Sequence, residues 1–238
     1  MSFVVNKSPD RIAGMFDAIA PRYDLLNHLL SAGIDRRWRA RAIRSLQLTG
    51  RETVLDVCTG TADVALQALI ASAGAARVLG VDFAGAMLAI GLRKVRAAGK
   101  SGRITLVRGD ATHLPVGDGT VDAATVAFGI RNVEQPERAC AEMARAMRRG
   151  GRLAILEFGV PRVPGVSTLY LWYFKYLLPW IGRRVSGHSA AYSYLPASVG
   201  SFPPPRTFAA ILERTGFRDV AAVPLTFGIV YLYTAIRR

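Results

Sequence analysis

The chain has only two cysteines in 238 residues, and their positions count against two classes of protein at once. Cys58 closes an apolar run and Cys140 lies in a helical stretch, a spacing that suits neither a disulfide framework nor a metal site, so no metal is expected. No uncharged apolar stretch reaches about 18 residues, which argues against a transmembrane span. The chain does not open with a basic-then-apolar signal segment, and a reducing, cytoplasmic setting is expected. Internal repeats and low-complexity tracts are lacking. The nearest thing to one, Pro203-Pro204-Pro205, reads as a spacer ahead of a helix. Acids are scarce: 17 Asp and Glu stand against 31 Lys and Arg, a net charge of +14. That imbalance points to nucleic acid, to an anionic membrane surface, or to an arginine-rich composition with no partner. The length suits one well-buried α/β domain.

What is present is concentrated at Val54 to Asp63. Thr53 to Val57 is an apolar, β-branched run of the kind a buried parallel strand shows. It breaks into Thr59-Gly60-Thr61-Ala62-Asp63 ahead of the helix-like ADVALQALIASAG. The turn therefore lies where a strand end meets a helix N-terminus, the edge at which open α/β sheets bind ligands, and Gly60 lets the backbone approach one closely. The next strand ends in Asp82, where an acid about 20 residues on can accept hydrogen bonds from a ribose diol. The phosphate-binding pattern G-x-G-x-x-G is missing, and Asp63 beside the single glycine would repel phosphate. A cofactor with a ribose, an adenine and a cationic centre but no phosphate fits, and S-adenosylmethionine has these features. The plain alternative is a helix-capping Asp63 beside an incidental turn.

Further strands follow. ITLVRGDATHLP places Asp110 and Ala111 after a third apolar run, where a carboxylate can accept from the adenine amino group. VDAATVAFGIRNV ends a fourth strand at Phe128 to Asn132, and MRRGGRLAILEF reads as helix end, Gly-Gly turn and fifth strand. GFRDV opens a sixth strand and Phe227 to Ile236 forms the last, antiparallel to it about a short turn near Gly228. The expected fold is α/β and Rossmann-like: a seven-stranded, mostly parallel sheet with an antiparallel C-terminal strand and helices on both faces.

Over nearly its whole length the chain resembles the C-methyltransferases of ubiquinone and menaquinone biosynthesis, within the class I S-adenosylmethionine-dependent methyltransferases. Four blocks carry the resemblance: Met15 to Arg39 (MFDAIAPRYDLLNHLLSAGIDRRWR), the GTAD turn with the following GVD, Ala127 to Val133 (AFGIRNV), and His188 to Pro203 (HSAAYSYLPASVGSFP). The first and last lie outside the generic cofactor fold and make the match specific. The resemblance implies that Thr61, Asp82, Asp110 and Ala111 contact the cofactor, that Gly60 and Phe128 line the same crevice, and that Tyr23 and Asp24 belong to a helical lid folded over the cofactor, with Tyr23 stacking on it or hydrogen-bonding to it. Ala62, Asp110 and Ala127 depart from many relatives, which carry Gly, Asn and Ser there.

The implied reaction transfers a methyl group to a ring carbon of a polyprenylated benzoquinol or naphthoquinol. An oxidised quinone is electron-poor, so the nucleophile must be the reduced ring, preferably as phenolate, held about 3 to 3.5 Å from the methyl. Arg131 is the candidate for stabilising that phenolate, with Asn132 orienting it; a loop salt bridge and an Asx-turn are the plain alternatives. His188 and Tyr192 are substrate-side candidates, and among His28, His113 and His188 no general base stands out. The domain divides into a lid (1–46), a cofactor core (47–158), a substrate and membrane insertion (159–201) and a C-terminal helix with a strand pair (202–238).

Leu169 to Gly182 (LYLWYFKYLLPWIG) is too short to span a bilayer but rich in Tyr and Trp, which prefer the headgroup boundary. With Arg36, Arg37, Arg39, Arg41 and Arg44, and Arg183 and Arg184 beyond, it suggests peripheral attachment to the inner face of the cell membrane, against a buried helix or a dimer contact. An RNA methyltransferase is the rival that charge suggests, yet Phe128-Gly129-Ile130-Arg131-Asn132 is not the Asn/Asp-Pro-Pro-aromatic clamp of base-amino enzymes, so no nucleic-acid partner is expected. A methyltransferase of another phenolic or polyketide molecule, a non-catalytic scaffold and a homodimer stay open, as does the choice between naphthoquinol and benzoquinol.

Overall fold

In a computed structural model, which describes residues 7–161, 163, 165–172 and 189–238, two helices precede the first strand. Helix α1 (Pro9–Leu30) starts with a proline at its first turn, where the missing N–H has no partner to lose, and runs through Pro21; α2 is Asp35–Ser45. There follow β1 (Thr53–Val57), α3 (Asp63–Ala71), β2 (Arg77–Asp82), α4 (Gly85–Ala97), β3 (Ile104–Arg108) and β4 (Val121–Ala127). Then come α5 (Pro136–Ala146), β5 (Met147–Phe158), α6 (Val166–Trp172), α7 (Ser189–Ser201), α8 (Pro205–Arg214), β6 (Phe217–Leu225) and β7 (Val230–Arg237).

The sheet order is β3-β2-β1-β4-β5-β7-β6, with β1 to β5 parallel and β7 antiparallel to both β5 and β6. The chain steps from β1 outward to β3, then returns to lay β4 on the other side of β1. A crevice opens at the C-terminal ends of the strands where the order reverses. Along β1, Leu55 and Val57 belong to one core layer and Val54 to the other, so both faces of the sheet are covered. One layer packs Met143, Phe208, Phe217 and Tyr233 with the α5 and α8 side; the other packs Trp38, Ile43, Ala65 and Leu69 with α2 and α3. Fully burying a Leu or Phe side chain contributes about 1.5–3 kcal/mol, so these layers fix the sheet and hence the crevice.

Several local expectations are revised. Gly150 and Gly151 do not form a turn: β5 already pairs at Met147, and the ladder to β4 slips between Val121 and Ala123, so the glycines sit in a bulge, Gly150 at φ 80°. The fourth strand stops at Ala127, and Ile130–Asn132 is a 3₁₀ turn. The last strand begins at Val230 and not at Phe227, because Thr226–Gly228 forms its own 3₁₀ turn. Tyr170, one of the aromatics assigned to a membrane boundary, is buried, whereas Trp172 is exposed. The rest of that segment, Tyr173 to Gly182, and Arg183 and Arg184 lie outside the described residues. Among the described residues no helix is long and apolar enough to cross a membrane.

Candidate active site

The GTAD turn is shaped by left-handed residues. Cys58, Gly60 and Ala62 have φ of 55°, 55° and 65°, which turns the chain sharply from β1 into α3 and aims the Gly60 N–H at β2. Asp82, at the end of β2, accepts that N–H at Oδ2 (2.8 Å) and the Ala84 N–H at Oδ1 (2.9 Å). Burial raises its carboxyl above the ordinary range, opposed by these two bonds. The Phe83 N–H also opposes the rise, and the carboxylate keeps acceptor capacity for a hydroxyl. Asp56, one turn behind, accepts from Thr59 Oγ1 at 2.6 Å. Its Oδ1 has no partner among the described residues, and burial pushes its carboxyl up to about 7.

A cavity of about 30 Å³, the room of a single water, lies between these residues and α1; Phe16, Tyr23, Gly60, Asp82, Phe128 and Asn132 are among those lining it. Phe16 and Tyr23 meet edge-on at 6.0 Å. Burial of the Tyr23 hydroxyl pushes its phenol up.

α1 is fastened over the crevice by three contacts. Asp17 Oδ1 accepts the Ala86 N–H in the first turn of α4 (2.8 Å), where the helix dipole favours an acid. Asp24 accepts from Thr61 Oγ1 (2.6 Å) and pairs with Lys94 Nζ (2.9 Å). Lys94 also pairs with Asp63, which Arg39 grips at 2.8 Å while reaching Asp35 at 3.3 Å. Asp63 is thus neither a helix cap nor a bare charge facing the ligand. Two cations compensate it, and the repulsion expected of it at a phosphate is largely cancelled.

On the β4–β5 side, Phe128 is left-handed at φ 61°, and its ring lies 4.6 Å from Phe158 and 6.1 Å from Trp38. Arg131 is buried. Its guanidinium donates to Glu157 Oε1 (2.8 Å), to the Phe128 carbonyl (2.5 Å) and to Ser198 Oγ (3.3 Å), and lies 5.2 Å from the centre of the Phe158 ring. The salt bridge named as the plain alternative is present, within the core and not in a loop. Asn132 does not hold Arg131. Its Nδ2 donates to the Phe128 carbonyl (3.4 Å), and its Oδ1 accepts from Tyr194 of α7 (3.1 Å). Burial pushes the Tyr194 phenol up to about 12, so it stays a donor at neutral pH. Lys7, ahead of α1, is held below its usual range by burial and then by Arg131.

Of the candidate residues, Tyr23, Gly60, Asp82, Phe128 and Asn132 meet around one cavity. Thr61 is buried but turned to Asp24 and Lys94, and Arg131 stands behind Phe128. Asp110 is exposed in an Asx-turn, accepting the Thr112 N–H at 2.8 Å, and Ala111 packs into the core. Tyr192 falls in α7 but its side chain, like the whole of His188, lies outside the described residues. His28 Nδ1 donates to Asp35 at the α1–α2 junction, and His113 meets Thr112 Oγ1 at 3.1 Å and Arg138. The sequence reading missed Glu157, Tyr194 and Lys94. Glu157 had a signal, an acid at the end of an apolar strand run; Tyr194 lay two residues from the tyrosine chosen; Lys94 had none.

The residues suit a nucleoside bearing a sulfonium: an acid with free lone pairs for the ribose, an apolar and aromatic wall, and glycine backbone for close approach. A side chain at Gly60 would put a Cβ 3.4 Å from the Met87 methyl and reduce that approach. Comparison with known proteins agrees. The model of the ubiE/COQ5 methyltransferase family matches residues 4–237. A ubiquinone/menaquinone biosynthesis C-methyltransferase of Geobacter sp. (strain M21) is 44% identical over 99% of this chain and 100% of its own. A demethylmenaquinone methyltransferase of Thermus thermophilus is 44% identical over 94% of this chain and 100% of its own. A solved SAM-dependent methyltransferase of Thermotoga maritima shares the fold at 15% identity, with a TM-score of 0.65 over 95% of this chain and 100% of that one. With a buried acid near the end of β1, another at the end of β2, a reversed sheet order and a family match from residue 4 to 237, this chain belongs to the ubiE/COQ5 methyltransferase family.

Proposed function

We propose that the protein transfers a methyl group from S-adenosylmethionine to a ring carbon of a reduced polyprenyl quinol, with demethylmenaquinol first among the candidates. The observation that carries this is the pairing of two unlike walls on one cavity, Asp82 and Gly60 facing Phe128 and Asn132. When bound, the cofactor supplies an electrophilic methyl on sulfur. Asp82 would hold its ribose, and Thr61 would keep the turn in place through Asp24. Asn132, fixed by Tyr194 and the Phe128 carbonyl, would touch the ring hydroxyl. Arg131 would act through the aromatic pair and its carbonyl contact, lowering the cost of a phenolate without leaving Glu157. Transfer would break the methyl–sulfur bond as the carbon–carbon bond forms, leaving the neutral thioether, and the ring-carbon proton would pass to water.

α1 serves as a lid. Phe16 and Tyr23 of α1 cover the crevice, and opening the Asp17, Asp24 and Lys94 contacts would free it for a nucleoside to enter. Residues 1–46 would form that lid over the core at 47–158, with 159–201 covering the ring and 202–238 completing the sheet. Because an isoprenoid tail seldom leaves a bilayer, the enzyme works as a peripheral membrane protein on the cytoplasmic side. The deciding experiment supplies labelled S-adenosylmethionine with reduced and oxidised demethylmenaquinone in detergent, with RNA alongside. Label in the reduced quinol alone supports the reading. Cofactor binding with no quinol turnover, or label in RNA, sinks it.

A further inference from the structure

We propose that the β6–β7 turn and the adjoining flank of α2 form the docking surface for an anionic lipid bilayer, with Phe227 entering the headgroup region and Arg37, Arg41 and Arg44 meeting the lipid charge. The inference rests on the quinol reading for its purpose, but its test reads membrane binding and not methylation.

Phe227 is 68% exposed at the tip of the turn. It is also left-handed, at φ 57°, directly after Thr226 at φ 45° and before Gly228 at φ 87°. A bulky aromatic in that region is disfavoured, and an exposed one gains nothing from folding to offset the strain. Such a residue points to a contact made with something outside the chain. Val160, 46% exposed, follows Gly159, whose N–H donates at 2.9 Å to the carbonyl of Ile229, two residues after Phe227. Pro224, at the end of β6, is exposed as well.

The arginines follow from helix geometry. Trp38 of α2 donates its Nε1–H to Thr226 Oγ1 at 2.9 Å, tying one flank of the helix to the turn. Positions 37, 41 and 44, three and four residues apart, fall together on the outward face of the helix next to that flank. All three arginines are exposed and none pairs with a carboxylate among the described residues. Arg36 falls on the other flank, where its carbonyl is 3.5 Å from Gln67 of α3, and Arg39 is buried between Asp35 and Asp63, so the basic cluster read from the sequence divides. A row of unpaired guanidiniums around an apolar tip suits an anionic bilayer. It disfavours a second copy, whose own row would face it across a two-fold contact. The surface also adjoins the crevice: Phe128 lines the cavity, Trp38 lies against Phe128, and Trp38 holds the turn.

Sedimentation with vesicles of phosphatidylcholine, with and without phosphatidylglycerol, tests the assignment. The wild-type chain is expected to bind the anionic vesicles and to release as salt rises. Phe227→Gly suits the left-handed backbone, so its melting temperature should hold or rise while vesicle partition falls about tenfold. Arg37→Gln, Arg41→Gln and Arg44→Gln together should lower it about a hundredfold. Ile70→Gln, at an exposed apolar site in the last turn of α3, should leave partition unchanged. Methylation of detergent-dispersed quinol should be unaffected in every variant. A wild-type chain that stays in the supernatant, or variants that partition like wild type, would overturn the proposal. So would a lowered melting temperature in Phe227→Gly, which would give the ring a packing role, or a dimer abolished by that change while vesicle binding persists.

Discussion

The two walls of the crevice handle buried charge differently. At the β1–β2 end, Asp82 has no cation among the described residues: backbone N–H groups of Gly60 and Ala84 hold it, and it lines the cavity. At the β4–β5 end, Arg131 is matched to Glu157, whose second oxygen accepts the Arg131 N–H at 3.1 Å, and the pair is shut away behind Phe128 and Phe158. The first wall is suited to accept hydrogen bonds from the hydroxyls of a ligand. The second is neutral overall but strongly polar, which places a dipole, and not a free cation, next to the ring site. One side is therefore expected to govern affinity and the other turnover.

Arg131→Ala is expected to have the largest effect, because it leaves Glu157 buried without a cation, held only by the backbone N–H groups of residues 131 and 158. Unfolding by denaturant should show a loss of about 3–5 kcal/mol, and turnover should fall at least a hundredfold. Combining Arg131→Met with Glu157→Gln should recover most of the stability and little of the turnover. Recovery of both would reduce the pair to a structural element and erase the contrast between the walls. Asp82→Asn should act on the other wall, weakening cofactor binding by about 30-fold in calorimetry while kcat at saturation changes little.

Asp56 sharpens the contrast through pH. Its folded value of about 7 lies above the ordinary 3.8, so the native state binds more protons than the unfolded chain between those values. The stabilisation is complete below about pH 4 and is lost as pH rises through about 7. Asp56→Asn should flatten this dependence, raising stability on the order of 1–3 kcal/mol at pH 8 with little gain at pH 4, as followed by thermal melts. Lys94→Met frees Asp24 and Asp63 from their shared partner and should cost about 1 kcal/mol. If α1 is a lid, it should also speed cofactor release in stopped-flow traces; an unchanged release rate would separate α1 from gating. The smallest change is expected from Tyr194→Phe, which removes one hydrogen bond to Asn132 and should lower kcat/KM about fivefold with KM for the cofactor unaltered.

Much of the fold was legible because parallel strands buried on both faces show as largely apolar runs without alternation, as at Thr53 to Val57 and Val121 to Ala127, each broken by a single acid. The boundaries that moved did so at left-handed residues: Gly150 stayed inside a bulged β5, and Phe227 left the last strand for a turn. Of the candidate site, Gly60, Asp82 and Phe128 were readable because strand ends in such a sheet converge. Arg131 was readable as a residue but not as a pair, since Glu157 lies 26 positions away and only the β4–β5 pairing brings them together. For the same reason the basic cluster of α2 looked uniform until tertiary contacts divided it.

By itself the sequence determined the alternation of strands and helices, the acid at each of the first two strand ends, and the kind of ligand those ends can receive, because these depend on local pattern and spacing. Only the tertiary structure decided which charges are compensated, which face the cavity and which face solvent. Ion pairs such as Lys94 with Asp24 and Asp63, or Arg131 with Glu157, are set by distances across the fold, and burial makes each partner dependent on the other.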